Sequence, residues 1–256
     1  MRIYPGHINS VMNEFCTKAQ RKETLEFVDI STVEDRLRGK NTIVHEFIGK
    51  VSGWCRERFI PVDYDADGRL WHVLYCVENI DEEKRRENRL MYLAQIDLMT
   101  GIRNRGSGEN KITEYLVRKQ CGLLCLLDCD KFKSINDTYG HAVGDKVIIA
   151  IADTLRKSCR DDDVVLRLGG DEFAVFIPGM LDKERAEAFF DRLFSNIEHI
   201  DIAEMNGKNI LLSLGACFYD GMDCITFDQL YRRADIAMYD SKKKQGYSAT
   251  IYDAKQ

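Results

Sequence analysis

Arg167-Leu-Gly-Gly-Asp-Glu-Phe-Ala-Val-Phe176 is the stretch on which the reading of this chain turns. Two glycines are followed at once by two carboxylates, Asp171 and Glu172, and then by an apolar run. A Gly-Gly pair lets the backbone reverse tightly and approach a ligand with no Cβ in the way. Adjacent carboxylates at such a turn suit a hard cation, and with it phosphate chemistry. A plain β-hairpin with a solvated acidic tip has the same local pattern, so the surroundings must decide. The apolar residues on either side predict a pair of strands near 164–168 and 173–177.

Upstream lies Leu126-Leu-Asp-Cys-Asp-Lys-Phe-Lys-Ser-Ile-Asn-Asp-Thr-Tyr-Gly-His-Ala-Val-Gly-Asp145. The run 121–128 that leads into it is predicted to be a strand buried on both faces, which delivers Asp128 and Asp130 at its C-terminal end. Asp130 and Asp137 are equally read as solvated turn residues. A carboxylate at the end of a buried strand, as Asp128 is, needs a cation or hydrogen-bond donors. Helices are expected at about 140–159, 182–198 and 227–243, with further strands at 209–217 and 249–252. Strands interleaved with long helices define an α/β (α+β) fold in which helices cover a sheet.

The first 80 residues end in two strand-like runs, 54–64 and 70–80, joined by Asp65-Ala-Asp-Gly68, which has the chemistry of a hairpin turn. Asp81 is expected to cap a charged helix over 81–96, with Glu82 and Arg86 paired on its surface. Leu90, Leu93, Ala94 and Ile96 would form a short seam along this connector. Three segments result: a module over 1–80, a linker helix over 81–96 and a domain over 97–256.

With 256 residues, 31% charged and 45% hydrophobic, the chain has an ordinary globular composition. Its net charge of −5 argues against nucleic acid or an anionic membrane surface as the main partner. No apolar run has membrane-spanning length and residues 1–20 lack the apolar core of a signal peptide, so a cytoplasmic location is expected. The nine cysteines include no C-x-x-C. Cys121, Cys125 and Cys129, four apart along the predicted strand, are read as reduced core residues on one face.

The segments 126–145 and 167–176 together resemble the GGDEF family of diguanylate cyclases. Asp97-Leu-Met-Thr-Gly-Ile-Arg-Asn-Arg105 is similar to the family's opening, with Met99 where leucine is usual. The resemblance runs from Asp97 to about Tyr252. It implies a sheet flanked by helices, like that of nucleotidyl cyclases and polymerase palms. It also implies condensation of two GTP into cyclic di-GMP with release of two pyrophosphates, in a homodimer whose two sites face each other.

Residue by residue, the resemblance implies that Asp128 and Asp171 hold Mg²⁺ (or Mn²⁺) with the backbone carbonyl of Cys129. Asp171 or Glu172 would assist deprotonation of the attacking hydroxyl, and Gly169 and Gly170 would leave room for the nucleotide. Lys133 would neutralise charge on the phosphates. Asn136, His141 and Asp145 would form the base pocket; for His141, packing at a helix start fits as well. A carboxylate at 145 accepts from the guanine N1–H and amino group, a donor pair adenine lacks, which disfavours a hybrid cyclase. Lys242 keeps the register of a phosphate-binding lysine, although the next glycine comes one residue late and Tyr247 replaces an arginine, leaving Lys243 and Lys244 as substitutes. Arg160 and Asp163 match an R-x-x-D site at which product binds and inhibits. Residues 57–87 resemble the C-terminal half of a PAS sensory domain, read as a dimerising module without haem or flavin, although Trp54, Trp71, His45 and His72 are candidate pocket residues. The alternative is a GGDEF domain that binds GTP or cyclic di-GMP without turnover.

Overall fold

The structure, a computed structural model, describes residues 5–244 and 246–253. It divides into two compact units, Met1–Met91 and Tyr92–Gln256. In the first, helices α1 (Pro5–Phe15), α2 (Arg21–Phe27) and α3 (Val33–Leu37) precede strands β1 (Ile43–Gly49), β2 (Gly53–Tyr64) and β3 (Leu70–Asn79). The strands pair antiparallel in the order β1-β2-β3. The anticipated hairpin is β2–β3, where Asp65 Oδ1 accepts from the N–H groups of Asp67 and Arg69, a local bond that favours aspartate in turns. Strand β1 escapes the sequence reading because its apolar residues fall in pairs, Ile43-Val44 and Phe47-Ile48, rather than alternating.

Phe47, Cys55 and Phe59 are buried on the inner face of this sheet, and so is Glu57. The Glu57 carboxylate accepts from the Tyr75 hydroxyl at 2.6 Å and meets His45 Nδ1 at 2.9 Å. Burial, with Glu57 adding to it, pushes the Tyr75 phenol far above its ordinary value. Tyr75→Phe removes a donor from a buried carboxylate and should destabilise this unit by about 1.5–3 kcal/mol. A lower midpoint in urea, followed by tryptophan fluorescence, would register it, because both tryptophans (Trp54 and Trp71) lie in this unit.

Helix α4 (Asp81–Gln95) begins differently from expectation. Asn79 Oδ1 accepts the Asp81 N–H, and the Asp81 carboxylate turns back to accept from Trp54 N–H at 3.2 Å. The ion pairs along its surface are Asp81–Arg85 at 2.7 Å and Lys84–Glu87 at 3.7 Å, rather than Glu82–Arg86. The acid expected to cap the helix thus ties it to β2.

The second unit contains β4 (Arg103–Asn104), α5 (Arg105–Val117), β5 (Gly122–Cys129), α6 (Phe132–Tyr139), α7 (His141–Ser158), β6 (Val164–Gly169), β7 (Glu172–Pro178), α8 (Lys183–Glu198), β8 (Leu212–Tyr219), α9 (Phe227–Lys242) and β9 (Ser248–Ile251). Its six-stranded sheet has the order β4-β6-β7-β5-β8-β9, antiparallel across the four middle strands and parallel at the two edges. This is the expected α+β architecture. Strand β5 lies inside the sheet: Leu123, Cys125 and Leu127 pack against α7 and α8, while Leu124 and Leu126 share a cluster with residues of α5 and α9. Each such buried leucine contributes roughly 1.5–3 kcal/mol, so the strand that carries Asp128 near its end is firmly held. Cys121 stands before the strand, half-buried, instead of within it, and all nine cysteines are free thiols. Among the described residues no helix is long and apolar enough to cross a membrane.

Candidate active site

Strand pairing builds the site. Asp128, near the end of β5, is the register partner of Glu172 on β7 and of Ser213 on β8. Residues directly opposite on neighbouring antiparallel strands project to the same face, with Cβ atoms about 4.5–5.5 Å apart. The β6–β7 hairpin pairs Gly169 with Glu172, leaving Gly170 and Asp171 as its two-residue tip. Gly170 has φ +53°, a left-handed conformation that side chains with a Cβ rarely adopt. Cys129 N–H donates to the Asp171 carbonyl at 3.3 Å, which seats the tip beside the end of β5.

Electrostatics register how close these acids are. Burial raises the Asp171 carboxyl above its ordinary value, and repulsion from Asp128 raises it further. Glu172 is raised by burial, then by Asp128 and Asp171. Asp130, read as a solvated turn residue, is half-buried and accepts from the Ser213 hydroxyl at 2.8 Å; burial and Asp128 raise it despite that bond. Lys242, the last residue of α9, places its Nζ 2.8 Å from Asp128 Oδ2. Burial works most strongly against its charge, but the Asp128 bond together with the attraction of Asp128, Glu172 and Asp130 outweighs it, and the lysine is raised overall.

A cleft of about 780 Å³ opens beside this cluster, lined by Asp128, Asp130, Lys131, Lys208 and Lys242 among others. Lys131 has φ +58° at the start of α6, an uncommon conformation for a residue with a side chain. Sequence reasoning missed Lys208 and gave no role to Lys131. Of the tail lysines, Lys243 is bound to Asp240 at 2.8 Å and Lys244 donates to the Thr250 hydroxyl at 3.2 Å. Tyr247 donates to the Ile210 carbonyl at 2.8 Å and stacks near Phe194, so it is a packing residue.

Lys133, His141 and Asp145 stand exposed on α6 and α7, and Asn136 is half-buried. A Cβ at Gly144 would overlap the Asn136 side-chain oxygen and come within 3.3 Å of Phe132 Cζ. The amide of Asn136 therefore rests against the one residue of that helical turn without a side chain.

Arg160 and Asp163 lie in the turn between α7 and β6. Asp163 Oδ2 accepts the Arg160 N–H at 2.7 Å, and burial raises the Asp163 carboxyl. They line a cleft of about 360 Å³ together with Arg185 and Arg192 of α8. These two arginines were not singled out from the sequence, yet their seven-residue spacing puts them on one helix face. Arg167, the first residue of the 167–176 stretch but given no role from the sequence, contacts Asp97 Oδ1 at 3.1 Å and donates to the Gly170 carbonyl from Nε at 3.0 Å and from Nη2 at 2.7 Å.

Residues 94–248 match the family model for the diguanylate cyclase GGDEF domain. The chain belongs to the GGDEF diguanylate cyclase family. Among curated relatives, the diguanylate cyclase DgcM of Escherichia coli is 35% identical over 175 residues, 66% of this chain and 41% of DgcM. The chain thus spans under half of that relative. The GGDEF domain of YfiN from Pseudomonas aeruginosa superimposes with a TM-score of 0.55 at 30% identity, covering 61% of this chain and 94% of that one. The GGDEF domain of DgcB from Caulobacter crescentus, solved in complex with c-di-GMP, gives a TM-score of 0.55 at 25% identity, covering 62% and 95%.

Among the described residues no group of three or more His, Cys, Asp or Glu side chains could hold a metal by itself. The acids nevertheless fit one. Mg²⁺ is ordinarily bound by one or two carboxylates plus substrate phosphates rather than by an all-protein cage. Asp128 and Asp171 repel each other in a half-buried place where an ammonium already answers the charge.

Proposed function

We propose that this chain is a divalent-metal-dependent diguanylate cyclase that condenses two GTP into cyclic di-GMP and releases two pyrophosphates. The observation that carries the reading is the placing of Asp128, Asp171 and Glu172 together at the end of the central strand, beside a lysine-lined cleft. Asp128 and Asp171, with the Cys129 carbonyl, would hold Mg²⁺ or Mn²⁺, which supplies charge for gathering the triphosphate and acidifying a 3′-hydroxyl. Glu172 or Asp171 accepts that hydroxyl's proton. The oxygen attacks the α-phosphorus of the second GTP and pyrophosphate leaves; the same step repeated closes the ring. Lys133, with the cleft lysines, balances charge on the departing phosphates.

One chain carries one such site, and a reaction symmetric in its two substrates suits a twofold homodimer with one GTP per protomer. The first unit would then govern how the two copies meet, in keeping with its PAS-like hairpin. A cytoplasmic location accords with GTP as substrate. Asn136, His141 and Asp145 on α6 and α7 would read guanine. Arg160 and Asp163, with the two arginines of α8, would bind product and inhibit, as guanidinium forks suit phosphate and guanine edges.

The test is incubation of the purified chain with GTP and Mg²⁺, with nucleotides resolved by chromatography and mass detection. Two pyrophosphates per cyclic di-GMP are expected. GTP bound but unconverted would establish instead the second reading, a nucleotide receptor, for which Tyr247 in place of the tail arginine is the specific support.

Gly144 offers a finer check on the base pocket. Gly144→Ala adds helix propensity worth about 0.5–1 kcal/mol but displaces the Asn136 amide. The KM for GTP should rise, by up to roughly tenfold for one lost hydrogen bond, while the melting temperature holds or rises. In an Asn136→Ala background the same substitution should add little.

A further inference from the structure

We propose that Lys242 is a resident counter-cation: in the nucleotide-free chain its ammonium occupies Asp128 and competes with a divalent ion until the triphosphate draws the lysine away. The inference rests on the metal-dependent reading above and adds an order of binding to it.

Four carboxylates meet at the end of β5, and Lys242 acts on each of them. It contacts Asp128 at 2.8 Å and offsets the raised carboxyls of Asp130, Asp171 and Glu172. Its neighbours are engaged elsewhere, Lys243 on Asp240 and Lys244 on Thr250. The Asp128 side chain is only 13% exposed, whereas that of Lys242 is 38% exposed. The acid is held in place by the sheet, while the lysine ends a helix on a four-carbon stem able to swing.

Lys242 also lines the cleft that holds Lys131 and Lys208, where phosphate oxygens would offer it a stronger partner than one carboxylate. The same ammonium therefore opposes the metal when the cleft is empty and assists it when a triphosphate is bound. By linkage, nucleotide and metal then raise each other's affinity by a common factor. Without this lysine, the carboxylates would bind divalent ions more tightly in the absence of substrate.

Mn²⁺ binding to the full chain, followed by electron paramagnetic resonance without nucleotide, tests this directly. Lys242→Gln should bind Mn²⁺ about tenfold more tightly than the unsubstituted chain, Lys242→Arg should not, and adding Asp128→Asn should cancel the gain. Lys242→Met serves in place of the glutamine variant if that one melts early. Equal or weaker Mn²⁺ binding by a folded Lys242→Gln or Lys242→Met chain overturns the proposal, as does a gain that survives Asp128→Asn. A parallel titration with a non-hydrolysable GTP analogue separates the two readings. If the chain does not use GTP, the variant still gains Mn²⁺ but the analogue changes nothing. If it uses GTP and Lys242 is a bystander, the analogue tightens Mn²⁺ binding equally in both proteins.

Discussion

Asp171→Ala is expected to lower cyclic di-GMP formation by about 10³-fold or more while leaving the ligand-free protein at least as stable as before. Both halves follow from one arrangement. In the proposed mechanism the carboxyl at the tip of the β6–β7 hairpin holds the cation, and the other tip residue, Gly170, has no side chain to replace it. Its proton affinity is raised by burial and by Asp128, so the folded state binds that proton more tightly than the unfolded chain. A carboxyl raised in this way favours folding in acid, and that advantage disappears as pH rises through its unfolded and then its folded pKa. At neutral pH the ionised group costs stability that Asp171→Ala recovers. Glu172→Ala should behave alike, since its carboxyl is raised by burial, Asp128 and Asp171. Thermal melts of both variants at pH 4 and pH 8 provide the check: the gain over the parent should be larger at pH 8. Retained synthesis in either variant would remove that residue from the chemistry.

The second large effect concerns the product. Arg160→Ala should weaken cyclic di-GMP binding by roughly 10–100-fold, the loss of one or two charge-assisted hydrogen bonds. Progress curves that stall as product accumulates should then run on toward exhaustion of GTP. Asp163→Ala should act in the same direction, because Asp163 also accepts the Arg160 N–H that shapes the loop. Calorimetry with added cyclic di-GMP measures the first effect, and the time course of pyrophosphate release measures the second. An unaltered affinity in Arg160→Ala would place the product elsewhere than the cleft it shares with Arg185 and Arg192.

The sequence displays most of the second unit because its long apolar run and its Gly-Gly turn are local signals. The 121–128 strand and the helix from about 140 depend only on neighbours in the chain, whereas the segment between them, read as a loop, folds as α6. What stayed hidden depends on distant partners. Asp130 looks like any turn aspartate until Ser213, 83 residues away, covers it. Lys242 could be placed in register with a phosphate-binding lysine, but its bond to Asp128 spans more than a hundred residues and needs α9 laid against β5. Tyr247 reads as a lost arginine in the sequence and as a packed ring in the fold. In the first unit the hairpin was legible from Asp65-Ala-Asp-Gly68, whereas Glu57 was not recognisable as buried, since nothing near it announces Tyr75 or His45 as its partners.

Arg167 has a mechanical meaning. One side of its guanidinium grips Asp97, at the doorway through which the chain enters the second unit; the other grips the Gly170 carbonyl, at the tip that presents Asp171. Arg167 is itself a residue of β6, paired with Asn104 and Phe173, so its side chain adds a second tie between Asp97 and the hairpin tip beside the paired strands. A planar guanidinium engaged on both edges works as a splint, bracing the tip that carries Asp171 against the segment that holds Asp97.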